Sequence, residues 1–370
     1  MKYTAPVQFN TNPITGNRKR AFTGKKLFWS LFCPGLMILI AVIMANSTGK
    51  NLIIGNTNMD TVTVLMSMAK TGLMTFVAAL ALNTNLNSGR MDFSLGATGI
   101  LACLFASLIV GGVDTVENIF LFLILSILFG MILGFIHSLV LIATKLPPIV
   151  ISLGMCLVYE GIAKVTAVYS GSNGSVDLPY GPHTTSFFME PVIFIPLLLI
   201  VALFMAAALC YTRYGYNKLA LVFNQKISVD TGINEISNCI VSFIIAGALI
   251  AIYQVMSSCG TSSIGINVNL ASSGAVFQNF LPIFIGGILA KYSNQIVGLI
   301  LAVIGTTVLY TFGFEFVFSS TVISLLNGFS VFAVLVYMVD KDRFTNWVKM
   351  KRYIRKEKYL NPKNAGGDKA

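Results

Sequence analysis

Charge is what this chain has least of. Asp, Glu, Lys and Arg together make up 11% of its 370 residues, where a soluble domain carries roughly 25%. Hydrophobic residues reach 55% and mean hydropathy is +0.79, which excludes a water-soluble globular domain. The only histidines are His137 and His183, and neither stands in a His-Glu-x-x-His pair or beside a Gly-x-Ser-x-Gly turn. Metal-assisted or triad hydrolysis therefore has almost nothing to stand on. A phosphate loop is missing too. The nearest run, Gly24-Lys25-Lys26, lacks the preceding glycine and the hydroxyl that cradle a nucleotide, so the chain does not hydrolyse ATP itself. Cysteine is sparse and without zinc or disulfide spacing. Cys33, Cys103, Cys156, Cys210 and Cys239 fall in apolar runs, with Cys259 expected near the outer surface.

What the chain does have is apolar runs long enough to cross a bilayer, whose hydrocarbon core of about 30 Å takes roughly 20 residues of helix. They fall near 27–45, 62–83, 93–113, 119–143, 149–169, 192–211, 236–257, 274–290, 295–313 and 322–339. A barrel would read as short alternating segments, and open strands in lipid would leave backbone groups unpaired. The pattern predicts an all-α polytopic membrane protein of about ten transmembrane helices. It divides into a basic tail over 1–26, a membrane domain over 27–340 and a second basic tail over 341–370.

Charge distribution sets the orientation. Lys2, Arg18, Lys19, Arg20, Lys25 and Lys26 precede the first run with no acidic residue among them, and ten Lys or Arg follow the last. Short Lys/Arg-rich segments stay inside, so both termini are expected in the cytoplasm, which an even number of crossings satisfies. That topology puts Asp60, Asp114, Glu117, Asp177, Glu190 and Glu315 outside, and Arg90, Lys145, Arg213, Lys218, Lys226 and Lys291 inside. The net charge of +11 then orients the chain and meets anionic lipid rather than nucleic acid. The first run follows a polar, Pro-containing tail without a small-residue cleavage site, so it reads as a retained helix.

Three connections are long. The inside loop 211–234 mixes Leu219, Leu221, Val222, Ile227, Val229 and Ile233 with charges, which suits an amphipathic helix on the cytoplasmic face that a partner could grip, or a plain linker. Outside, Ser170 to Ser186 and Cys259 to Ser273 are rich in Gly, Ser and Asn, and read as flexible connectors or entrance loops.

Ionisable groups at membrane depth are costly and face a partner or a cavity. Lys70 lies in the second run, where it needs an acceptor or must snorkel. Glu160 and Lys164 lie four apart on the fifth, spaced to form an ion pair. Between the second and third runs, Asn83, Asn85, Asn87, Gly89, Arg90, Asp92 and Ser94 interrupt the apolar pattern, and Asp92 or Ser94 is expected to cap the third helix. Gly130 and Gly134 form a small-x-x-x-small face. For a substrate pathway the polar candidates are Asn87, Asp92, Glu160, Gln278 and Asn279, each of which could equally cap or tie helices.

In this order the clusters resemble the membrane subunits of ABC importers of the ribose, monosaccharide and nucleoside type. The family's Gly-Gly-Ile-Asp-Leu-Ser-Val-Gly is similar to Gly89-Arg90-Met91-Asp92-Phe93-Ser94-Leu95-Gly96. Its Gly-x-x-x-Gly-x-x-Asn-Gly is similar to Gly130 through Ser138, and its Pro-Pro-Phe-Ile-Val-Thr-Leu-Gly to Pro147 through Gly154. Its cytoplasmic Asn-x-x-x-Ala-x-x-Ser-Gly-Ile is echoed by Asn224 through Thr231, Gly232 and Ile233, and a late Gly-Gly by Gly286-Gly287. Arg90 stands where the family has glycine, His137 where it has asparagine and Glu160 where arginine is usual. Ala290-Lys291-Tyr292-Ser293 replaces a Gly-rich turn. The resemblance implies a ten-helix permease for a sugar or nucleoside. It would pair with a second permease subunit, with cytoplasmic ATP-binding subunits that carry the nucleotide, and with an extracytoplasmic solute-binding protein. It also implies that Asn224, Thr231, Gly232 and Ile233 couple to the ATPase, and that Gly89, Ser94, Gly96, Gly130, Gly134, Gly286 and Gly287 serve packing or capping. The alternative on the residues is an ion-coupled secondary transporter with helices broken near Arg90 to Asp92.

Overall fold

The apolar runs fold as helices in a computed structural model that describes residues 24–47, 61–86, 90–111, 116–172, 174–177, 190–290, 295–314 and scattered positions from 317 to 336. Both basic tails up to residue 23 and beyond 336, together with Asn87 and Gly89, lie outside the described residues. In chain order the elements are α1 (Gly24–Ser47), α2 (Thr61–Leu86), α3 (Leu95–Val110), α4 (Val116–Thr144), α5 (Pro148–Tyr169), β1 (Ser175–Asp177), α6 (Pro191–Tyr211), α7 (Arg213–Phe223), α8 (Gln225–Asp230), α9 (Glu235–Thr261), β2 (Ser263–Gly265), α10 (Ala271–Gln278), α11 (Phe280–Leu289) and α12 (Gln295–Thr307). A π-helical turn, Val308–Phe314, continues α12. Among the described residues, four helices are long and apolar enough to span a membrane: Glu117–Thr144, Pro148–Tyr169, Val192–Leu209 and Glu235–Thr261. Apolar side chains on their outer faces, such as Ile124, Ile200 and Phe204, are exposed at 60%, 64% and 71%, as a lipid-facing surface requires.

Helix α9 is the centre of the bundle and packs against α2, α3 and α4. The α4–α9 contact depends on glycine. A Cβ on Gly130 would sit 2.8 Å from Ala251 Cβ and closer still to the Gly247 carbonyl, while one on Gly134 would strike the Phe243 carbonyl. Backbone therefore meets backbone along this seam, the close approach that small residues allow in membranes. The helices α11 and α12 pair in the same way through Gly286, whose Cβ would lie 2.9 Å from Leu299 Cα, and Gly287 beside it is half-buried.

Two expected elements are subdivided. The run 274–290 is two helices, α10 and α11, that break at Asn279. Pro282 explains the break, because it has no N–H for the carbonyl of residue 278 and its ring crowds that carbonyl. The amphipathic segment is likewise two helices, α7 and α8, that break at Asn224. The two outside segments expected as connectors or entrance loops contribute β1 and β2, which pair antiparallel with Val176 opposite Ile264. Cys259, expected near the outer surface, lies in the last turn of α9 beside β2, with its side chain buried.

Candidate functional site

Two polar regions interrupt the apolar bundle. The first surrounds the start of α3. This helix has 16 residues, about 24 Å at 1.5 Å per residue, shorter than the membrane core. Residues 90–94 lead into it without helix, and their polar groups are tied off by side chains. Asp92 is buried. Its Oδ1 accepts from Ser94 N at 2.9 Å and from Ser94 Oγ at 2.7 Å, and its Oδ2 accepts from Asn85 Nδ2 at 3.1 Å. Of the two expected caps, Ser94 makes no side-chain cap bond to α3, while the Asp92 carboxylate accepts the N–H of Ser94 at the N-cap position. The Ser94 hydroxyl proton goes to the stronger acceptor, the Asp92 carboxylate, which leaves the oxygen to accept from His137 Nδ1 at 2.9 Å. That order of donors puts a proton on Nδ1. Nε2 is buried without a hydrogen-bond partner among the described residues, and the ring lies against that of Phe243.

The same end of the bundle carries α7 and α8. Thr212 starts α7 by accepting from Gly215 N, and Asn224 starts α8 by accepting from Ile227 N at 3.2 Å. Helix α8 closes in a Schellman motif: Ile233 N donates to the Ser228 carbonyl at 3.1 Å and Gly232 N to the Val229 carbonyl at 2.9 Å. The motif needs a left-handed residue, and Gly232 supplies it at φ +93°. Thr231 Oγ1 adds a bond to the Ser228 carbonyl.

Side-chain hydrogen bonds join this pair to the bundle. Lys218 Nζ, buried on α7, donates to the Asn83 carbonyl at 3.1 Å, among the carbonyls that the end of α2 leaves without helical partners. Burial pushes the Lys218 ammonium down to about 7. Tyr214 Oη bonds Ser242 Oγ at 2.9 Å, and burial pushes its hydroxyl up to about 12. Glu235 Oε1 accepts from Gln225 Nε2 and from Arg90 Nη2, each at 2.7 Å, so one carboxylate oxygen links α8 to the segment that enters α3.

The second polar region lies toward the β1–β2 end. A cavity of about 330 Å³ is lined by Gly96 and Ile100 of α3, by Tyr253, Gln254, Ser257 and Thr261 of α9, and by Ser263, Asn267, Ser272 and Asn279 beyond it. Glu160 stands behind one wall. Its Oε2 accepts from Leu270 N at 2.8 Å, and its Oε1 accepts from Ser272 N at 2.9 Å and from Ser272 Oγ. The carboxylate thereby holds a turn in which Asn269 and Leu270 are both left-handed, at φ 60° and 65°. A Cβ on Gly96 would strike the Ser272 carbonyl, so α3 seals against the same turn. A larger cavity, about 590 Å³, lies between α2, α6 and α12 among Met68, Phe76, Leu199, Leu203, Ile300 and Ile304 and is almost wholly apolar. Near its α2 wall, Lys70 Nζ sits 6.0 Å from the ring centroid of Phe194.

Of the pathway candidates, Asn279 lines the polar cavity, Glu160 supports its wall and Asp92 belongs to the separate network at the start of α3. Gln278 ends α10, and Asn87 is outside the described residues. Sequence reasoning missed Gln254, Ser257 and Thr261. Their spacing was the available signal, since it draws one polar stripe along an otherwise apolar helix.

A bundle of membrane-length helices with a polar cavity and an amphipathic linker defines a polytopic membrane transport protein. The chain belongs to the family described as branched-chain amino acid transport system / permease component, whose model matches residues 64–339. It is also similar to the D-allose transport system permease protein AlsC of Escherichia coli, with 28% identity over 271 residues that cover 70% of this chain and 76% of the relative. No solved structure matches it.

Proposed function

We propose that the chain is the membrane subunit of an ATP-binding cassette importer for a neutral, sugar-like solute, with ten transmembrane helices and both termini in the cytoplasm. The observation that carries this reading is the α7–α8 pair, a preformed docking element wired to the transport core. Ile227 and Val229 on α8 are exposed at 60% and 44%, apolar anchors that a cytoplasmic partner would cover. Gln225 on the same helix shares the Glu235 oxygen with Arg90, which stands two residues before Asp92 in the segment leading into α3. A push on α8 from an ATPase below is thus delivered to α3, whose Gly96 forms part of the cavity wall. Asn224 and Gly232 serve the coupling by fixing the two ends of α8. ATP stays on the partner, a second permease subunit completes the path, and a solute-binding protein delivers cargo at the β1–β2 end. The D-allose relative favours a monosaccharide as the solute.

The test is reconstitution in proteoliposomes with the ATPase that co-purifies with the chain. Asn224→Ala removes a helix cap worth about 1 kcal/mol, and Gly232→Ala forces a Cβ into a left-handed turn at about 1–2 kcal/mol. Both variants should fold, yet uptake per ATP hydrolysed should fall severalfold. Wild-type coupling in both would refute the docking role, and uptake driven by an ion gradient without any ATPase would overturn the importer reading.

A further inference from the structure

We propose that the apolar groove between α2, α6 and α12 holds one acyl chain of an anionic phospholipid, whose phosphate rests on the ammonium of Lys70 at the groove's end. The proposal is independent of the importer reading and needs only that the chain spans a bilayer. The groove opens toward hydrocarbon, because Leu199, Leu203 and Ile304 on its rim are exposed, while Phe76, Ala202 and Val303 lie buried along its floor. None of its described lining residues is charged.

Shape selects the chain. From Ile296 to Val308 the α12 wall runs about 18 Å at 1.5 Å per residue, close to the roughly 15 Å that one leaflet contributes to a hydrocarbon core of about 30 Å. A volume of about 590 Å³ spread over that length leaves a channel about 6 Å across, far narrower than the roughly 10–12 Å of a helix with its side chains. A helix of a second copy does not enter it; an extended hydrocarbon chain does.

Charge selects the headgroup. Lys70 follows Ala69 and precedes Gly72 by two residues, and both of these line the groove. Its Nζ sits 6.0 Å from the ring centroid of Phe194, a buried residue five positions nearer the start of α6 than Leu199, where the α6 wall of the groove begins. Five residues rise about 7.5 Å, so the half-buried lysine carries its cation past the groove's end toward the membrane interface, as a snorkelling side chain does. A chain seated in the groove would bring its phosphate to that end. The pairing favours a net anionic lipid, since a zwitterionic one already balances its phosphate with its own ammonium.

Native mass spectrometry of the full-length chain, released from detergent after incubation with dioleoyl-phosphatidylglycerol or dioleoyl-phosphatidylcholine in turn, tests the site. One phosphatidylglycerol should stay bound, retained severalfold better than phosphatidylcholine, and Lys70→Gln should abolish that preference. A Cβ on Gly72 meets nothing within 4 Å, so Gly72→Leu should fold, fill the groove and lower retention of both lipids severalfold. Ala206→Phe on the facing wall gives the same readout should Gly72→Leu fail to fold. Equal retention of the two lipids by the unsubstituted chain, a preference that survives Lys70→Gln, or retention unaltered by the groove-filling variants would each overturn the proposal. So would a dimer that retains neither lipid, which would assign the groove to contact with a second copy.

Discussion

Replacing Glu160 by Gln isolates the role of its charge, because the amide keeps the shape while exchanging one acceptor oxygen for a donor. In the native protein the two oxygens accept from Leu270 N, Ser272 N and Ser272 Oγ. The introduced carboxamide can satisfy one backbone N–H with its oxygen, but its NH₂ then faces the other N–H, donor against donor. Hydrogen bonds to a charged group are worth about 1.5–3 kcal/mol each, so losing one and weakening the rest should cost about 2–4 kcal/mol. The turn stores energy of its own, since a left-handed residue other than glycine costs about 1–2 kcal/mol and Asn269 and Leu270 are both in that region. Losing its anchor, the turn should open locally before the bundle unfolds. At about 1.4 kcal/mol per factor of ten, hydrogen–deuterium exchange at the Leu270 and Ser272 amides should accelerate at least tenfold in detergent, while α4 and α9 amides change little. Unaltered exchange at those two amides would refute the anchoring argument.

Two further perturbations address packing and the linker. Gly134→Ala should destabilise the purified protein by about 1–3 kcal/mol, the usual cost of overpacking, because its Cβ meets the Phe243 backbone. Gly154→Ala on α5, where nothing lies within 4 Å, should instead be neutral or stabilising by up to about 1 kcal/mol through helix propensity. Thermal melting of the two variants side by side checks the opposite signs. For Lys218, the folded ammonium is pushed down to about 7 from 10.5, so between those values the unfolded chain binds the extra proton. Stability should therefore rise with pH across that window, with a slope approaching ~1.4 kcal/mol per pH unit. Melting from pH ~7.5 to ~9.5, taken as wild type minus Lys218→Met, would show that slope, and a flat difference would remove the assignment.

Most of the helical architecture was legible because lipid imposes one pattern on every span. The apolar runs end where Gly, Asn or charge begins, and α1 through α6 and α9 fall within a few residues of the expected bounds. The break at Asn279 was also written in the chain, since Pro282 cannot continue a helix through residue 278. The site was harder to read. Asn279 was picked out as a polar residue in an apolar run, but the cavity it lines gathers residues from α3, α9 and the loop beyond it, and no local pattern ties Gly96 to Ser272. Glu160 was paired with Lys164 by spacing along one helix. Spacing cannot anticipate a turn 110 residues later, whose unpaired N–H groups find the carboxylate. Lys218 reads from the sequence only as an inside loop charge for a similar reason: its amphipathic segment suggests a solvated cation, and the fold buries it against Asn83.

The short pairing of Ser175–Asp177 with Ser263–Gly265 stitches the exit of α5 to the exit of α9 by main-chain bonds. Whatever widens the bundle at that end must either tear this seam or swing both exits as one piece. Any movement that leaves the stitch intact therefore carries the two exits together.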